Sequence, residues 1–262
     1  MNSAVDARPP LEPNRLHLTE PFRVEVVESL PSTNQELGDR FTGGAGEGLV
    51  LVAEHQTSGR GRLDREWVTP ARSAITASLL LTPQVPAVRW TWLPLLTGLA
   101  ATQAIRDTTS LVPTLKWPND VLLEGRKVGG ILLERIDLGP RAAAIVGIGL
   151  NVHQTQAELP VPEATSIAIQ GADVDRTELL QSLVNAFSQE YSAWIAGTDP
   201  RERYLDECGT VGQEVVVHTI TEDVVGVVTD IDDSGQLVVD TDSVTRHLAV
   251  GDVEYVRPQA GI

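Results

Sequence analysis

The chain alternates between two spacings of hydrophobic residues, and each spacing predicts one kind of secondary structure. Apolar residues that alternate with charged ones predict half-buried strands, whereas short unbroken apolar runs predict fully buried strands. The predicted strands are residues 22–28, 49–53, 75–81, 114–123, 128–135 and 142–152. The predicted helices are residues 90–105, 176–195 and 201–208, with a further helix after residue 31. Ser32 and Thr33 begin overlapping capping boxes at the start of that helix.

The pattern of hydrophobic residues changes after Gly209, where short valine-rich runs are separated by turn residues. Regular short strands of this kind predict a small all-β unit. We therefore expect an α/β domain of the α+β type over residues 20–208 and a small β domain over residues 209–262. Residues 1–19 are polar and interrupted by proline, so we expect a flexible tail. Residues 153–166 lack periodicity and are predicted to form a long loop that acts as a lid.

Length and composition exclude several classes of protein. With 262 residues, 42% of them hydrophobic, the chain can bury a core without disulfides or structural metals. Its apolar runs are shorter than the roughly 18 to 20 residues of a membrane-spanning helix, so no membrane partner is expected. Asp6 and Arg8 stand where a secretory signal would be apolar. Cys208 is the single cysteine, which suits a reducing compartment, and we expect a cytoplasmic protein.

Charge carries more information than the rest of the composition. The 36 acidic residues outnumber the 20 cations, and the net charge of -16 argues against a surface that binds DNA or RNA. Among those cations only Lys116 and Lys127 are lysines. An ammonium group is a compact point charge that suits a phosphate or a carboxylate, whereas guanidinium is a planar fork. Two lysines so close together in an arginine-rich chain indicate a functional site.

Motifs that the sequence lacks remove further enzyme classes. The chain has neither the phosphate-binding loop GxxxxGK[ST] nor a complete dinucleotide-binding fingerprint. It has no GxSxG motif, and its five histidines are not spaced as metal ligands. Metal-dependent hydrolysis, hydride transfer and serine hydrolysis are therefore disfavoured, and no protein metal site is expected.

A glycine-hinged basic loop is the first of three unusual segments. In residues 56–62, here called the arginine loop, Arg60 stands between Gly59 and Gly61, and Arg62 follows Gly61. Such a free backbone can close over a ligand, and its guanidinium groups can then neutralise an anion. Taken alone, these residues also fit a solvated basic loop.

The second unusual segment, residues 116–120, combines a cation, an amide and a carboxylate. Lys116, Asn119 and Asp120 suit phosphates and a magnesium ion. Pro118 indicates that a strand begins or lies at a sheet edge there. A turn made of ordinary turn formers is the alternative, but it leaves Lys116 unexplained.

The second lysine opens the next predicted strand and is followed by two glycines. A tight hairpin that closes at residues 124–125 places Lys127 opposite Leu122. The same register places Gly129 opposite Asp120. The two segments then share one patch, where an anionic ligand can lie against bare backbone.

The order and spacing of these motifs resemble those of the biotin protein ligases. The motifs are Ser32-Thr33-Asn34, Gln56 with Gly59-Arg60-Gly61-Arg62, Lys116-Trp117-Pro118-Asn119-Asp120, the run KVGGILLE from Lys127 to Glu134, and the run GIGLNV from Gly147 to Val152. Each motif is short, but all of them in this order are specific, and the resemblance extends from Phe22 to the carboxyl terminus. Gly147 and Gly149 interrupt a predicted strand, so another group is expected to approach the backbone closely.

The resemblance implies an activity. Members of that family join biotin to one lysine of a carrier domain in two steps. The biotin carboxylate attacks the α-phosphate of ATP, and the acceptor amine then attacks the resulting biotinyl-5′-adenylate. The implied substrates and cofactors are biotin, ATP and Mg²⁺, and the implied partner is the biotin carboxyl carrier domain of an acyl-CoA carboxylase.

The resemblance also implies roles for individual residues. The biotin-binding residues would be Ser32, Thr33, Asn34, Gln56, Gly59, Arg60, Gly61, Arg62 and Lys127. The residues that bind ATP or the adenylate would be Arg62, Lys116, Asn119, Asp120, Lys127 and Asn151. The catalytic group would be Lys127, Arg60, Arg62, Lys116 and Asp120. Lys127 would contact first the biotin carboxylate and later the adenylate phosphate, while Trp117 would serve packing.

The fold implied by the resemblance is a mixed-sheet catalytic domain like that of class II aminoacyl-tRNA synthetases, followed by a small SH3-like barrel. Some relatives carry an amino-terminal helix-turn-helix module and act as repressors. The residues before Phe22 are too few to build that module, so no DNA partner is expected. Some relatives dimerise through a sheet edge, and the sequence leaves a homodimer open.

Two other functions remain open at this point. A ligase for lipoate would share fold and mechanism, although the arginine loop and residues 116–120 favour biotin. A non-catalytic protein that senses biotin would not need both lysines, so their presence argues against it.

Overall fold

The computed structural model describes residues 8–63 and 65–256, and the predicted strands and helices are found there with one exception. The strand predicted over residues 114–123 is divided into two strands by a turn at residues 117–119. The strands are β1 (Arg23–Leu30), β2 (Leu49–Gln56), β3 (Ala74–Leu81), β4 (Pro113–Lys116), β5 (Asp120–Leu123), β6 (Arg126–Leu138), β7 (Arg141–Asn151), β8 (Glu214–His218), β9 (Asp223–Ile231), β10 (Leu237–Asp240), β11 (Thr245–Leu248) and β12 (Asp252–Tyr255). The helices are α1 (Thr33–Thr42), α2 (Trp92–Thr108), α3 (Arg176–Ile195) and α4 (Arg201–Glu207). Within the described ranges, none of the helices has the length and apolar character needed to cross a membrane.

A seven-stranded mixed sheet forms the centre of the larger domain, in the order β1-β2-β3-β7-β6-β5-β4. Strands β1 and β2 are parallel, and the other neighbours are antiparallel. Both faces of the sheet are covered. Leu51 of β2 packs with Leu37 of α1 on one face, whereas Val52 belongs to the core that α2 and α3 cover on the other. This explains why β2 reads as an unbroken apolar run.

Capping residues set the starts of two helices. Ser32 caps α1, where its Oγ accepts a hydrogen bond from the backbone nitrogen of Gln35 at 3.5 Å. Asp175 caps α3, where its carboxylate accepts from the backbone nitrogen of Thr177 at 2.7 Å. Each cap satisfies a backbone donor that has no partner within the helix. The start predicted for α1 is therefore confirmed, and it places Thr33 and Asn34 in the first turn.

The smaller sheet contains five antiparallel strands in the order β11-β10-β9-β8-β12. Two indole groups of the larger domain donate hydrogen bonds to the turn before β10. Trp92 Nε1 donates to the carbonyl oxygen of Asp233 at 2.8 Å, and Trp117 Nε1 donates to that of Gly235 at 3.1 Å. Trp117 is only 1% exposed, so its packing role is confirmed. These contacts hold the small sheet beside the segment that carries Lys116 and Asp120.

The prediction of a flexible tail is wrong for residues 8–19, while residues 1–7 lie outside the described residues. The segment runs along α3, and its backbone donors are bound by side chains. The backbone nitrogen of His17 donates to Gln181 Oε1 at 2.7 Å, and that of Thr19 donates to Asn185 Oδ1 at 2.9 Å. Leu11 is buried in the main core. Because the contacts use backbone groups and one apolar side chain, the segment shows no hydrophobic period.

The hairpin between β5 and β6 closes at residues 124–125 as predicted, with positive φ angles of 49° and 69°. Leu122 pairs with Lys127 as expected. The second half of the predicted register is wrong, because Asp120 pairs with Gly130 and not with Gly129. A β-bulge inserts one extra residue into β6 before Gly129 and shifts the pairing. The consequence is that Gly130 lies beside the Lys127 side chain.

Candidate active site

A cavity of about 470 Å³ lies against the central strands β3, β7 and β6 of the large sheet. It brings together the start of α1, the end of β2, the arginine loop, the β5–β6 hairpin and the loop after β7. The sequence-predicted residues that line it are Ser32, Thr33, Asn34, Gln56, Arg60, Gly61, Arg62, Asn119, Asp120, Lys127 and Asn151. Gly59 and Lys116 are not among the lining residues. Residues from distant parts of the chain therefore form one site, as the motif order predicts.

One end of the cavity is a network of amides and hydroxyls at the start of α1, which Asn34 Nδ2 connects to Glu134 Oε2 at 2.8 Å. Gln56 Oε1 accepts hydrogen bonds from the backbone nitrogen of Thr33 at 2.8 Å and from its Oγ1 at 3.0 Å. Ser78 Oγ lies 2.7 Å from Thr33 Oγ1 and donates to Asn34 Oδ1 at 2.6 Å. Because amides and hydroxyls both donate and accept, this end suits a neutral ligand group with both functions.

The glycines of β7 let two side chains approach the backbone, as predicted. A Cβ atom at Gly147 would lie 2.3 Å from Asn34 Oδ1. A Cβ atom at Gly149 would lie 2.2 Å from Cε2 of Trp67. The indole of Trp67 therefore lies flat against β7 and forms an apolar wall of the cavity.

The arginine loop covers the cavity and is tied to both domains. Arg60 Nη2 donates to Glu134 Oε1 at 2.6 Å. Arg62 donates to Asn119 Oδ1 at 2.8 Å through Nη1 and to the carbonyl oxygen of Gly251 at 3.0 Å through Nη2. Gly59 accepts a hydrogen bond from the backbone nitrogen of Trp67 at 2.9 Å, which closes the loop on itself. The loop is thus ordered by specific partners and is not merely a solvated basic segment.

Burial lowers the pKa of the Arg62 guanidinium, and the negative charges of Asp252 and Asp120 oppose that shift. A guanidinium in a protein stays protonated at neutral pH. Arg62 therefore brings a fixed positive charge into a partly dehydrated region of an acidic protein. Attraction to an anion is stronger there than at an exposed surface.

Lys127 and Asp120 meet at the middle of the cavity. Lys127 Nζ lies 2.6 Å from Asp120 Oδ1, and the two side chains are 35% and 21% exposed. The backbone of Lys127 also pairs with the loop after β7, donating to the carbonyl oxygen of Glu163 at 2.9 Å and accepting from Thr165 at 2.8 Å. Lys127 is therefore positioned through both its backbone and its ammonium group.

Lys116 does not reach the cavity. Its Nζ lies 5.0 Å from the centre of the Tyr255 ring, in a cation–π arrangement. Burial raises the pKa of the Tyr255 phenol, which keeps that ring neutral. The sequence predicts that Lys116 and Lys127 lie in one patch. In the structure Lys116 instead contacts Tyr255 of strand β12.

Sequence reasoning did not single out three residues of this site. Ser78 lies in the middle of a buried strand, where nothing in the pattern distinguishes it. Trp67 follows the arginine loop. A single indole in a polar stretch is unusual, and it could have indicated a residue of the site. Glu134 ends the KVGGILLE motif, but no role was derived for it.

Known protein families match both domains. Residues 26–151 match the biotin/lipoate A/B protein ligase family, and residues 210–255 match the biotin protein ligase C-terminal domain. Over 247 residues, the chain is 37% identical to the biotin–[acetyl-CoA-carboxylase] ligase of Mycobacterium tuberculosis, with 90% of each chain covered. The chain belongs to the biotin protein ligase family. Both the family and the enzyme class expected from the motifs are thus confirmed.

Other relatives of this ligase agree. The bifunctional ligase/repressor BirA of Bacillus subtilis is 30% identical over 88% of this chain and 72% of its own length. Among solved structures, the biotin protein ligase from Aquifex aeolicus in complex with biotin and ATP is 28% identical and superposes with a TM-score of 0.76. That match covers 90% of this chain and 99% of the other. The predicted mixed-sheet fold of the ligase is confirmed.

Replacing Gly149 by alanine tests the wall formed by Trp67. The added methyl group would lie 2.2 Å from the indole, so the ring must move into the cavity. We expect catalytic efficiency in ATP-dependent pyrophosphate exchange to fall by about tenfold or more, because ligands fit poorly beside a displaced ring. Gly46→Ala is the matched control, since a Cβ there meets no atom within 4 Å. Equal activities of the two variants would contradict this view of the wall.

Proposed function

We propose that this ligase activates biotin with ATP as biotinyl-5′-adenylate and transfers the biotinyl group to one lysine of a biotin carboxyl carrier domain. The observation that carries the proposal is the pairing of Lys127 with Asp120 at the middle of the cavity. A network of amides and hydroxyls lies at one end, and Arg62 lies above. The site therefore offers different chemistry to a ureido ring, a carboxylate and a phosphate.

The polar end suits the ureido ring of biotin. That ring carries two N–H donors and one carbonyl acceptor, and Thr33 and Gln56 offer complementary groups. The apolar wall of Trp67 then lies along the path that the valeryl chain takes from Thr33 towards Lys127. Biotin in this orientation presents its carboxylate to the cations.

The first step joins two anions, and the cations of the site make that possible. A carboxylate oxygen of biotin forms a bond to the α-phosphorus of ATP, and the bond from that phosphorus to the pyrophosphate oxygen breaks. Lys127 and Arg62 reduce the repulsion between the anions and stabilise the charge that develops at phosphorus. Asp120 and Asn119 hold these two groups in place before the substrates bind.

The second step transfers the acyl group. The amine of the carrier lysine forms a bond to the carbonyl carbon of the adenylate, AMP departs with the bonding electrons, and the amine loses a proton. Asp120 is the carboxylate at this position and can orient the amine and receive the proton. Lys127 stays beside the phosphate that leaves.

Mg²⁺ fits this site only as a companion of ATP. Among residues 8–63 and 65–256, no group of three or more histidine, cysteine or acidic side chains is placed to hold a metal ion. Asp120 is paired with Lys127, and Asn119 already accepts from Arg62. We propose that the ion binds the phosphates of ATP and water molecules and neutralises the charge of the phosphates. Asp120 is a carboxylate of the cavity that could contact it.

Two properties support action away from DNA and within the cytoplasm. The net charge of -16 repels a polyanion. Cys208 is the single cysteine and cannot form a disulfide within the chain, which suits a reducing compartment. Absence of a change in fluorescence anisotropy with labelled duplex DNA, with and without biotin and ATP, is the expected result.

The direct test combines the ligase, ATP, biotin and a biotin carboxyl carrier domain, followed by an avidin blot. We expect labelling that requires ATP and disappears when the acceptor lysine of the carrier is replaced by arginine. Pyrophosphate exchange driven by biotin or by lipoate separates the two candidate acids. Exchange that lipoate supports as well as biotin would contradict the proposed substrate, and exchange without transfer would contradict the proposed acceptor.

A further inference from the structure

Residues 8–12, here called the N-terminal strap, connect the body of the large domain to the loop after β7. At one end of the strap, Arg8 Nη2 donates to Glu158 Oε2 at 2.7 Å and to the carbonyl oxygen of His153 at 3.1 Å. The side chain of Arg8 is 12% exposed and that of Glu158 is 23% exposed. Contacts between charged groups with so little exposure are worth more than those at an open surface.

The strap is anchored on a buried ion pair. Arg176 at the start of α3 and Glu54 of β2 lie 2.7 Å apart, and both side chains are 2% exposed. Arg176 Nη2 donates to the carbonyl oxygen of Pro9 at 2.7 Å, and Glu54 Oε1 accepts from the backbone nitrogen of Leu11 at 2.5 Å. The position of Arg8 is therefore fixed by the core of the domain.

The loop that Arg8 contacts is part of the cavity wall. Residues 153–166 contribute Pro160, Val161 and Ala164 to the lining. The later half of the loop is paired with the backbone of Lys127 on β6. In the earlier half, buried hydrogen bonds hold His153 and Gln154, whereas residues 155–158 contact the rest of the domain through Arg8 and through one exposed hydrogen bond from Arg126 to Gln156 at 2.8 Å.

A small capping box shapes that earlier half. Glu158 Oε2 accepts from the backbone nitrogen and the Oγ1 of Thr155, both at 2.9 Å. The same oxygen receives the Arg8 guanidinium. Arg8 therefore binds the residue that determines the local turn of the loop, and its removal would leave that turn held by the exposed hydrogen bond between Arg126 and Gln156.

We propose that Arg8 is a positioning residue for the loop of residues 153–166 and, through it, for retention of the nucleotide. The nucleotide end is assigned by the proposed function, on which this part of the inference rests. Biotin occupies the cavity from Thr33 to Lys127, so the loop beyond Lys127 faces ATP and the adenylate. The strap thus takes part in the reaction cycle although none of its residues lines the cavity.

Amide hydrogen exchange of the unliganded ligase tests the strap without any activity measurement. In Arg8→Ala we expect exchange in residues 153–158 to be faster by about tenfold, because the loop opens more often. Glu158→Gln keeps an acceptor for Thr155 but removes the charge, and it should give a similar increase. Arg106→Ala is the control, because Arg106 likewise binds a glutamate, Glu207, and a backbone carbonyl, that of Pro113, and neither partner belongs to the strap or to the loop.

Kinetics then separate positioning from mere stability. We expect Arg8→Ala to raise the KM for ATP by about tenfold, to leave the KM for biotin within about twofold, and to keep the wild-type Tm. Unchanged amide hydrogen exchange in residues 153–158 would contradict the proposed role of the strap. Faster exchange with an unchanged KM for ATP would overturn its role in nucleotide retention. If the wild-type enzyme shows no pyrophosphate exchange, the proposed function is contradicted. The result of the amide hydrogen exchange experiment remains valid in that case.

Discussion

Replacement of Lys127 by methionine is expected to reduce the rate of biotinyl-adenylate formation by about 100-fold or more. Methionine is an unbranched side chain one atom shorter than lysine, and it removes the positive charge together with the N–H donors. The loss has two causes, since a cation that stabilises charge at phosphorus disappears and Asp120 is left without its partner at 2.6 Å. The unpaired carboxylate then repels both substrates.

The measurement is pyrophosphate exchange at saturating biotin and ATP, combined with a thermal melt. Arg246→Met is the control, because it removes one positive charge from β11, where Arg246 pairs with Glu222 on the surface. Lys127→Arg retains a charge with a different shape and should recover part of the rate. A Lys127→Met enzyme with a wild-type rate would contradict the central role of this ammonium group.

The second large effect concerns folding. Glu54→Gln should lower the free energy of unfolding by about 3 to 5 kcal/mol, because it leaves Arg176 as an uncompensated buried charge. Glutamine preserves an acceptor for the backbone of Leu11, so the loss reports mainly on the ion pair. Urea unfolding followed by circular dichroism measures the change.

Two comparisons sharpen this result. Glu28 pairs with Arg72, and the side chain of Glu28 is 70% exposed. Glu28→Gln should therefore lower the free energy of unfolding by about 1 kcal/mol or less. The double variant Glu54→Leu with Arg176→Met removes both charges and should recover part of the loss, since no uncompensated charge stays buried. The recovery is partial because the backbone groups of Leu11 and Pro9 lose their partners. If Glu54→Gln costs no more than Glu28→Gln, the buried pair does not stabilise the domain as described.

Local signals predicted most of the fold. Helix α3 spans residues 176–195 as its hydrophobic spacing predicts, and the cap at Ser32 marks the start of α1. The bulge before Gly129 was not predictable, because one inserted residue hardly changes the alternation of a short strand. The strap was missed because its contacts use backbone atoms and single side chains, which leave no periodic pattern.

The site could be predicted where a residue type implies its chemistry. Lys127 and the arginine loop meet as the motifs suggest. Lys116 was placed wrongly because its partner Tyr255 lies on a strand of the other domain, and nothing local to Lys116 indicates an aromatic ring. Ser78 supports Asn34 from a buried strand, and only the register of the sheet reveals that contact.

The cations around the cavity already have partners within the protein. Arg60 binds Glu134, Arg62 binds Asn119, and Lys127 binds Asp120. An entering carboxylate or phosphate therefore takes the place of an existing partner and does not meet a bare charge. At Arg60 and Lys127 the gain in electrostatic energy is the difference between two ionic contacts, whereas at Arg62 an anion replaces a neutral amide. The net gain from binding an anion is therefore smaller at Arg60 and Lys127 than their full charges suggest.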